Sequence, residues 1–265
     1  EQFDFTDCSI MNCLYAGAFL ASNRNIEQAT VSIDRLFQLC GTVLPTSIED
    51  KKLVAQRENG EILYSEAEIV ELRSNVRVER IYLLDQSLDK SKFEILDHNA
   101  KRSYLEGHHC YVGVSPGVRL ALQQADIIIY SAGTQHSSLY PTYMSAGLAE
   151  SISDNHSALK VFITNIGADY ETPSYKASDY ILGAHRYLNL SDERNYSMEE
   201  LFDVIFINQS HFKDDETYVE YDEEGFHDIS IQRLVDVFES EDNPGKHNGT
   251  KVVKTILDLY EDKHF

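Results

Sequence analysis

The spacing of apolar and polar positions changes twice along the chain. In residues 8–40 two stretches, "SIMNCLYAGAFLAS" and "IEQATVSIDRLFQLC", repeat apolar side chains at steps of three and four, the period of one helix face. The second carries Ile26, Ala29, Ile33, Leu36, Phe37 and Cys40 along that face, with Asn25 placed to cap the helix and Gly41 to end it, so these apolar positions are expected in the core. Asn12 interrupts the first stretch, and an amide buried there would need partners. The period then drops to two. "KLVAQRENGEILYSEAEIV" holds two short extended runs around Asn59-Gly60, a strong hairpin signal, and "VERIYLLD" reads as a further strand.

From Pro116 onward the two periods alternate. "SPGVRLALQQ" predicts a helix with Pro116 in its first turn, followed by strand "DIIIYS", helix "TYMSAGLAESI", strand "KVFITN", helix "SYKASDYILGAHRYL" and strand "DVIFINQS". "ISIQRLVDVF" and a helix around "GTKVVKTILDLYE" close the chain. The strands are nearly continuous apolar runs, as expected where helices cover both faces of a sheet. This pattern predicts an α/β fold with a doubly wound, mostly parallel sheet. Three parts are expected: helical residues 1–41, a β-rich insertion over 42–98, and the α/β portion over 99–265.

Composition narrows the partners. The 265 residues are 42% hydrophobic and 11% aromatic, enough to bury the core of one large or two modest domains. A formal net charge of −21 speaks against nucleic acid or an anionic membrane as the main partner, because both demand a Lys/Arg footprint. No apolar stretch is long enough to span a bilayer and the N-terminus lacks a signal-like region, which points to a cytoplasmic protein. Cys8, Cys13, Cys40 and Cys110 show no C-x-x-C spacing and read as reduced, mostly buried thiols. The acidic runs "HFKDDETYVEYDEEGF" and "FESEDN" read either as solvated surface or as a divalent-cation site.

Candidate chemistry concentrates where two strands end, the usual ligand position of an open α/β sheet. After "DIIIY" come Gly133, Thr134, Gln135, His136, Ser137 and Ser138. Gly133 allows close backbone approach, and the hydroxyls could donate to phosphate oxygens beside a helix N-terminus; the alternative is an ordinary connection with capping hydroxyls. No Lys-Ser/Thr pair follows the glycine, so this is not a P-loop, and G-x-S-x-G is absent. After "VFIT" come Asn165, Glu171, Thr172 and Asp179, which could read a base or sugar hydroxyl, polarise a water or hold a metal, or else cap helices and close turns. The adjacent histidines of "GHHC" would point to opposite faces of a strand, and His185 and His247 have no evident partner.

These residues resemble a known pattern. "ADIIIYSAGTQHSSLYPTYMSAGLAESI" is similar to A-D-x-I-x-x-G-P-G-S-x-x-T-S-x-x-P-x-L-x-x-x-G-I-x-E-A-I of the CofD/YvcK family. "KVFITNIGADYETPSYKASDY" resembles its K-V-Y-V-x-N-x-M-T-Q-P-G-E-T segment, "NCLYAGAF" its G-N-L-x-L-A-x-L segment, and "CGTVLPTSIEDKKLVAQRENGEI" its R-G-x-V-L-P block. The family joins phospholactate transferases of deazaflavin coenzyme synthesis with bacterial gluconeogenesis factors, and the glutamate-threonine block and hairpin favour the YvcK-like branch. The resemblance implies a Rossmann-like fold with an inserted β subdomain, a homodimer, and a nucleotide site at the strand ends. For the YvcK-like branch it implies binding of a nucleotide-sugar of the UDP-sugar type and a regulatory role in carbon metabolism and cell-wall supply. For the transferase branch it implies transfer of a phospholactyl-type group from a guanylylated donor, with Mg²⁺. By position, Gly133, Thr134, Ser137 and Ser138 would line the diphosphate, with Asn12, Asn165 and Asp179 around the ligand.

Departures from the pattern bear on that site. Met11 stands where the family has Gly, Ser131-Ala132-Gly133 replaces G-P-G, Tyr180 replaces the His after Asp179, and the loop from Asn165 to Glu171 is one residue shorter. The glycine-rich G-G-G-T-G turn that opens family members has no counterpart before Asn12, so the chain is expected to be part of a longer polypeptide or to have a different first strand. A third reading keeps the fold but makes the site degenerate, with an acidic surface for protein binding.

Overall fold

The computed structural model describes residues 8–209 and 217–264. Two helices come first, α1 (Ile10–Ala21) and α2 (Ile26–Phe37), whose N-caps Ser9 and Asn25 accept from the Asn12 and Gln28 amides. Gln38, in the left-handed region at φ 51°, ends α2 in place of the expected Gly41. α1 packs chiefly on α2 and buries none of its residues, while α2 buries Ala29, Thr30 and Ile33. Leu36, Phe37 and Cys40, expected in the core, are therefore exposed, and so is Asn12. The physical reason is that two helices packed on each other cover one stripe of each, and periodicity does not say which stripes find a partner. The thiols follow suit: all four are free, none is buried, and the Cys8 and Cys13 Sγ atoms lie 3.5 Å apart.

Strands β1 (Lys52–Arg57), β2 (Ile62–Leu63) and β3 (Val78–Leu84) form an antiparallel sheet in the order β2-β1-β3. The β1–β2 turn is the predicted hairpin, with Gly60 at φ 84°. Helices α3 (Glu66–Glu71), α4 (Lys90–Phe93) and α5 (His98–His108) accompany it. Side chains alternate across a strand, and here both faces are used. Val54, Ile62, Tyr82 and Leu84 pack with Phe93 and Leu105, whereas Ala55, Leu63, Ile81 and Leu83 enter the main core. The two histidines of "GHHC" end α5 rather than lying in a strand; His108 bonds the Tyr104 carbonyl and His109 accepts from the Leu83 amide.

The main core lies against a four-stranded sheet, β4 (Ile127–Tyr130), β5 (Leu159–Ile163), β6 (Val204–Asn208) and β7 (Gln232–Asp236), parallel throughout and in the order β4-β5-β6-β7. Phe162, Ile205 and Ile207 face the main core, while Leu159, Val161, Val204 and Phe206 face Val252 and Ile256 of the terminal helix α11 (Gly249–His264). Burial on both faces explains the continuous apolar runs of β5 and β6, whereas the edge strand β4 leaves Ile129 exposed. The other helices are α6 (Pro116–Gln124), α7 (Tyr140–Tyr143), α8 (Leu148–Ser153), α9 (Ala177–Leu188) and α10 (Met198–Leu201), and a hairpin of β8 (Glu239–Ser240) and β9 (Asn243–His247) follows β7. This is a Rossmann-like α/β fold carrying an inserted β-rich sheet. Among the described residues no helix is long and apolar enough to cross a membrane. Residues 210–216, which include the start of the first acidic run, lie outside the described residues.

The helix expected over "TYMSAGLAESI" is two helices. Gly147, at φ 81°, breaks it, and a π-helical turn over Gln135–Leu139 precedes α7. Tyr140 opens α7, is fully buried, and stacks on Tyr187 of α9 with centroids 4.3 Å apart. Its hydroxyl lies against the α9 backbone at Gly183, where an added Cβ would overlap it and come within 2.7 Å of Tyr140 Cζ. Gly183→Ala should therefore cost about 1–3 kcal/mol through overpacking. Urea unfolding would read this as a lower midpoint, and an unchanged midpoint would show that Tyr140 yields without cost.

Candidate functional site

Two loops leave the carboxyl ends of β4 and β5, and their backbones are tied together at the base. The Gly133 N–H donates to Asn165 Oδ1 at 3.1 Å while Asn165 Nδ2 donates to the Gly133 carbonyl at 3.0 Å, so a side chain extends the pairing of the two strands by one step. Gln135 Nε2 donates to the same carbonyl at 2.7 Å. A Cβ on Gly133 would make only ordinary contact with Leu139, at 3.5 Å, so the fold itself does not demand glycine here.

Further out, the loops are tied through a buried carboxylate. Ser137 donates to Glu171 twice, from its backbone N–H at 2.9 Å and from Oγ at 2.5 Å. Both residues are buried. Burial pushes the Glu171 carboxyl above its ordinary value, and the Ser137 hydrogen bonds oppose that shift. Asp169 shapes the second loop: its Oδ1 accepts from the Glu171 and Thr172 amides and the Thr172 hydroxyl at 2.8, 3.1 and 3.0 Å. Thr172 Oγ1 also lies 3.0 Å from the Tyr180 hydroxyl. Thr134 donates to Ser138 Oγ at 2.8 Å.

A cavity of about 380 Å³ lies beyond these strand ends, lined by Ala132, Gly133 and Thr134, by Asn165 to Asp169, and by Gly245, Lys246 and His247 of the β8–β9 hairpin. Asn208, at the end of β6, places that hairpin by accepting from the Phe238 and Glu239 amides at 2.8 and 3.0 Å. Of the residues singled out in the sequence, Gly133, Thr134 and Asn165 line the cavity. Gln135, Ser137, Glu171 and Thr172 stand behind it as the hydrogen-bonded frame, and Ser138 joins them through Thr134. Asp179 instead pairs with Arg77 of the insertion through two contacts of 3.2 Å and accepts from the Lys176 amide. Asn12 is exposed on α1 and does not line the cavity.

Lys246 and His247 carried no motif signal; they end β9, which follows the turn at Glu241-Asp242. Burial pulls the His247 imidazole below its ordinary value. His185, which also had no evident partner, has its Nε2 2.8 Å from the Tyr196 carbonyl oxygen. Among the described residues no group of three or more His, Cys, Asp or Glu is arranged to hold a metal. Magnesium commonly takes one or two carboxylates and completes its shell with ligand phosphates and water; Asp169 is the carboxylate lining this cavity and would be its protein ligand. A second cavity, of about 610 Å³, lies beside α4 and α5, away from the strand ends.

A cavity at the carboxyl ends of parallel strands, framed by two strand-to-helix loops, stands where open α/β domains commonly hold their ligands. The chain belongs to the family described as 2-phospho-L-lactate transferase CofD, whose profile matches residues 3–242. It is 24% identical over 269 residues to a putative gluconeogenesis factor of Thermoanaerobacterium thermosulfurigenes, covering 98% of this chain and 75% of that one. It is also 24% identical over 254 residues to a gluconeogenesis factor of Halalkalibacterium halodurans, covering 94% and 70%. A crystal structure of a Bacillus halodurans protein superposes with a TM-score of 0.71 at 21% identity, covering 94% of this chain and 72% of that one.

His136 gives the frame a measurable signature. It is almost fully buried, its Nδ1 has no partner, and burial pulls its imidazole down to about 3 from an ordinary 6.5. The folded state thus holds it neutral while the unfolded chain takes up a proton below 6.5. Its contribution is fully present above pH 6.5 and is lost as pH falls towards 3, at no more than about 1.4 kcal/mol per pH unit. His136→Phe should flatten this part of the stability profile, measured by urea unfolding between pH 7 and 5; an equally steep wild-type and variant profile would contradict it.

Proposed function

We propose that the chain binds a nucleotide or nucleotide-sugar, of the UDP-sugar type, in the crevice beyond β4 and β5, and acts as a regulatory protein of carbon and cell-wall metabolism like the gluconeogenesis factors it is similar to. The observation that carries this reading is the cavity itself: Gly133 and Thr134 form one wall, residues 165–169 another, and Lys246 and His247 a third. Polar groups set into a preformed crevice at strand ends suit a ligand with a sugar and an anionic part.

A second reading has its own support. The family's description names a transferase, and His247, held neutral by burial at the cavity wall, suits a proton acceptor, with Asp169 as the anchor for Mg²⁺. It requires turnover of a nucleoside-diphosphate donor, and binding without turnover counts against it.

Calorimetry with UDP, a UDP-sugar, GDP and GTP tests the first reading. The wild-type chain is expected to bind at least one of them, and Ala168→Trp, a bulky substitution at an exposed lining position, should weaken that binding by roughly tenfold or more while leaving the folded signal intact. If none of the four nucleotides binds the wild-type protein, the reading falls.

A further inference from the structure

The helix end expected to meet a diphosphate already holds an anion. The Ser137 amide and hydroxyl both donate to Glu171, whose buried carboxylate lies where a ligand phosphate would have to sit to use them. A second anion brought to the same amide would displace this carboxylate or meet its charge.

The opposite wall has the complementary chemistry. Lys246 lines the cavity, is exposed, and makes no ion pair with a described carboxylate. His247 beside it lines the same space. The hairpin that carries them is held firmly: Gly245, inside β9 at φ 80°, donates its N–H to Glu239 Oε1 at 2.5 Å, the Tyr218 hydroxyl donates to the same oxygen at 2.6 Å, and Asn208 fixes the other strand to the end of β6. Asp169 is the carboxylate that shares the cavity, and its Oδ1 is turned into its own loop by three hydrogen bonds.

We infer that the β8–β9 hairpin is the anion-holding wall of the cavity: the Lys246 ammonium takes the phosphate end of the ligand against Gly133 and Thr134, beside a His247 ring whose N–H is engaged by the Thr164 carbonyl, while Ser137 and Glu171 make no ligand contact. A lysine ammonium supplies a compact charge on a flexible stem, and a hydrogen bond to a phosphate oxygen from such a group is among the stronger ones. The base or sugar then extends along the backbone of residues 165–168, where no charged side chain lines the cavity. The inference rests on the proposed nucleotide reading for the identity of the ligand, and on the geometry alone for the place of the anion.

Inorganic pyrophosphate separates the two. It is titrated into the full wild-type chain and into Lys246→Ala and Lys246→Arg, with UDP and GDP in parallel. Wild-type binding of pyrophosphate should weaken with added salt, fall by roughly tenfold or more in Lys246→Ala, and fall less in Lys246→Arg. Lys246 is exposed, so an unchanged thermal midpoint for Lys246→Ala is expected to accompany the loss. Failure of wild-type protein to bind pyrophosphate, or binding by Lys246→Ala as tight as by wild type, overturns the inference. If pyrophosphate binds in a Lys246-dependent way but UDP and GDP bind no better than it does, the nucleotide reading fails and the anion wall stands.

Discussion

The site depends on one buried carboxylate. A charge taken out of water is tolerated only where hydrogen bonds replace its hydration, and Glu171 finds two of its bonds on Ser137, in the other strand-end loop. Satisfying that carboxylate therefore fixes the loop after β5 against the loop after β4. The reciprocal pairing of Gly133 with Asn165 fixes the same two segments nearer the sheet. Between these two ties the loops have little freedom to slide, so the crevice is shaped before any ligand arrives. The π-helical turn belongs to the same arrangement: the Leu139 amide reaches back to the Thr134 carbonyl at 3.1 Å, a wider turn that carries Ser137 to Glu171.

From that frame, polar contacts run outward to the inserted sheet. Asp169 holds Thr172, and Thr172 meets the Tyr180 hydroxyl on α9. At the start of α9, Asp179 joins Arg77 of the insertion, and the same guanidinium reaches the Ser174 carbonyl at 2.5 Å. Ser174 occupies the left-handed region at φ 59°, which costs a non-glycine residue about 1–3 kcal/mol. Arg77 and the neighbouring turns hold it there. The insertion thus braces the second loop as well as burying one face of its sheet in the main core.

Strand and helix alternation was legible because period two and period 3.6 survive without knowledge of the partner, and Asn59-Gly60 announced its hairpin by backbone conformation alone. What faces the core was less legible. α1 and α2 read as two core helices, yet the positions they leave uncovered depend on what packs against them, which no periodicity contains. The two strand-end loops that the sequence brought forward both border the cavity, but residue type did not separate the residues that line it from those that tie the loops together. Ser137, Glu171, Thr172 and Asp179 have the side chains of ligand contacts, but their partners are one another, Asp169, Tyr180 and Arg77. Lys246 and His247 line the cavity without standing in either loop: they lie on a hairpin far along the chain, which its position after β7 and the Asn208 side chain, bonding the Phe238 and Glu239 amides, bring to the strand ends.

The net charge of −21 bears on the proposed ligand through distance. Exposed charges farther apart than about 8–10 Å are largely screened at physiological salt, so a small anion inside a crevice responds to the groups within reach of it. There it would find Lys246, His247, backbone amides and hydroxyls, and one carboxylate bound into its own loop. A long polyanion, by contrast, would lie along the acidic surface over many Debye lengths and meet repulsion at each. An acidic exterior around a cavity whose wall carries Lys246 would therefore admit the small phosphorylated ligand proposed while opposing a nucleic acid, by size and field together.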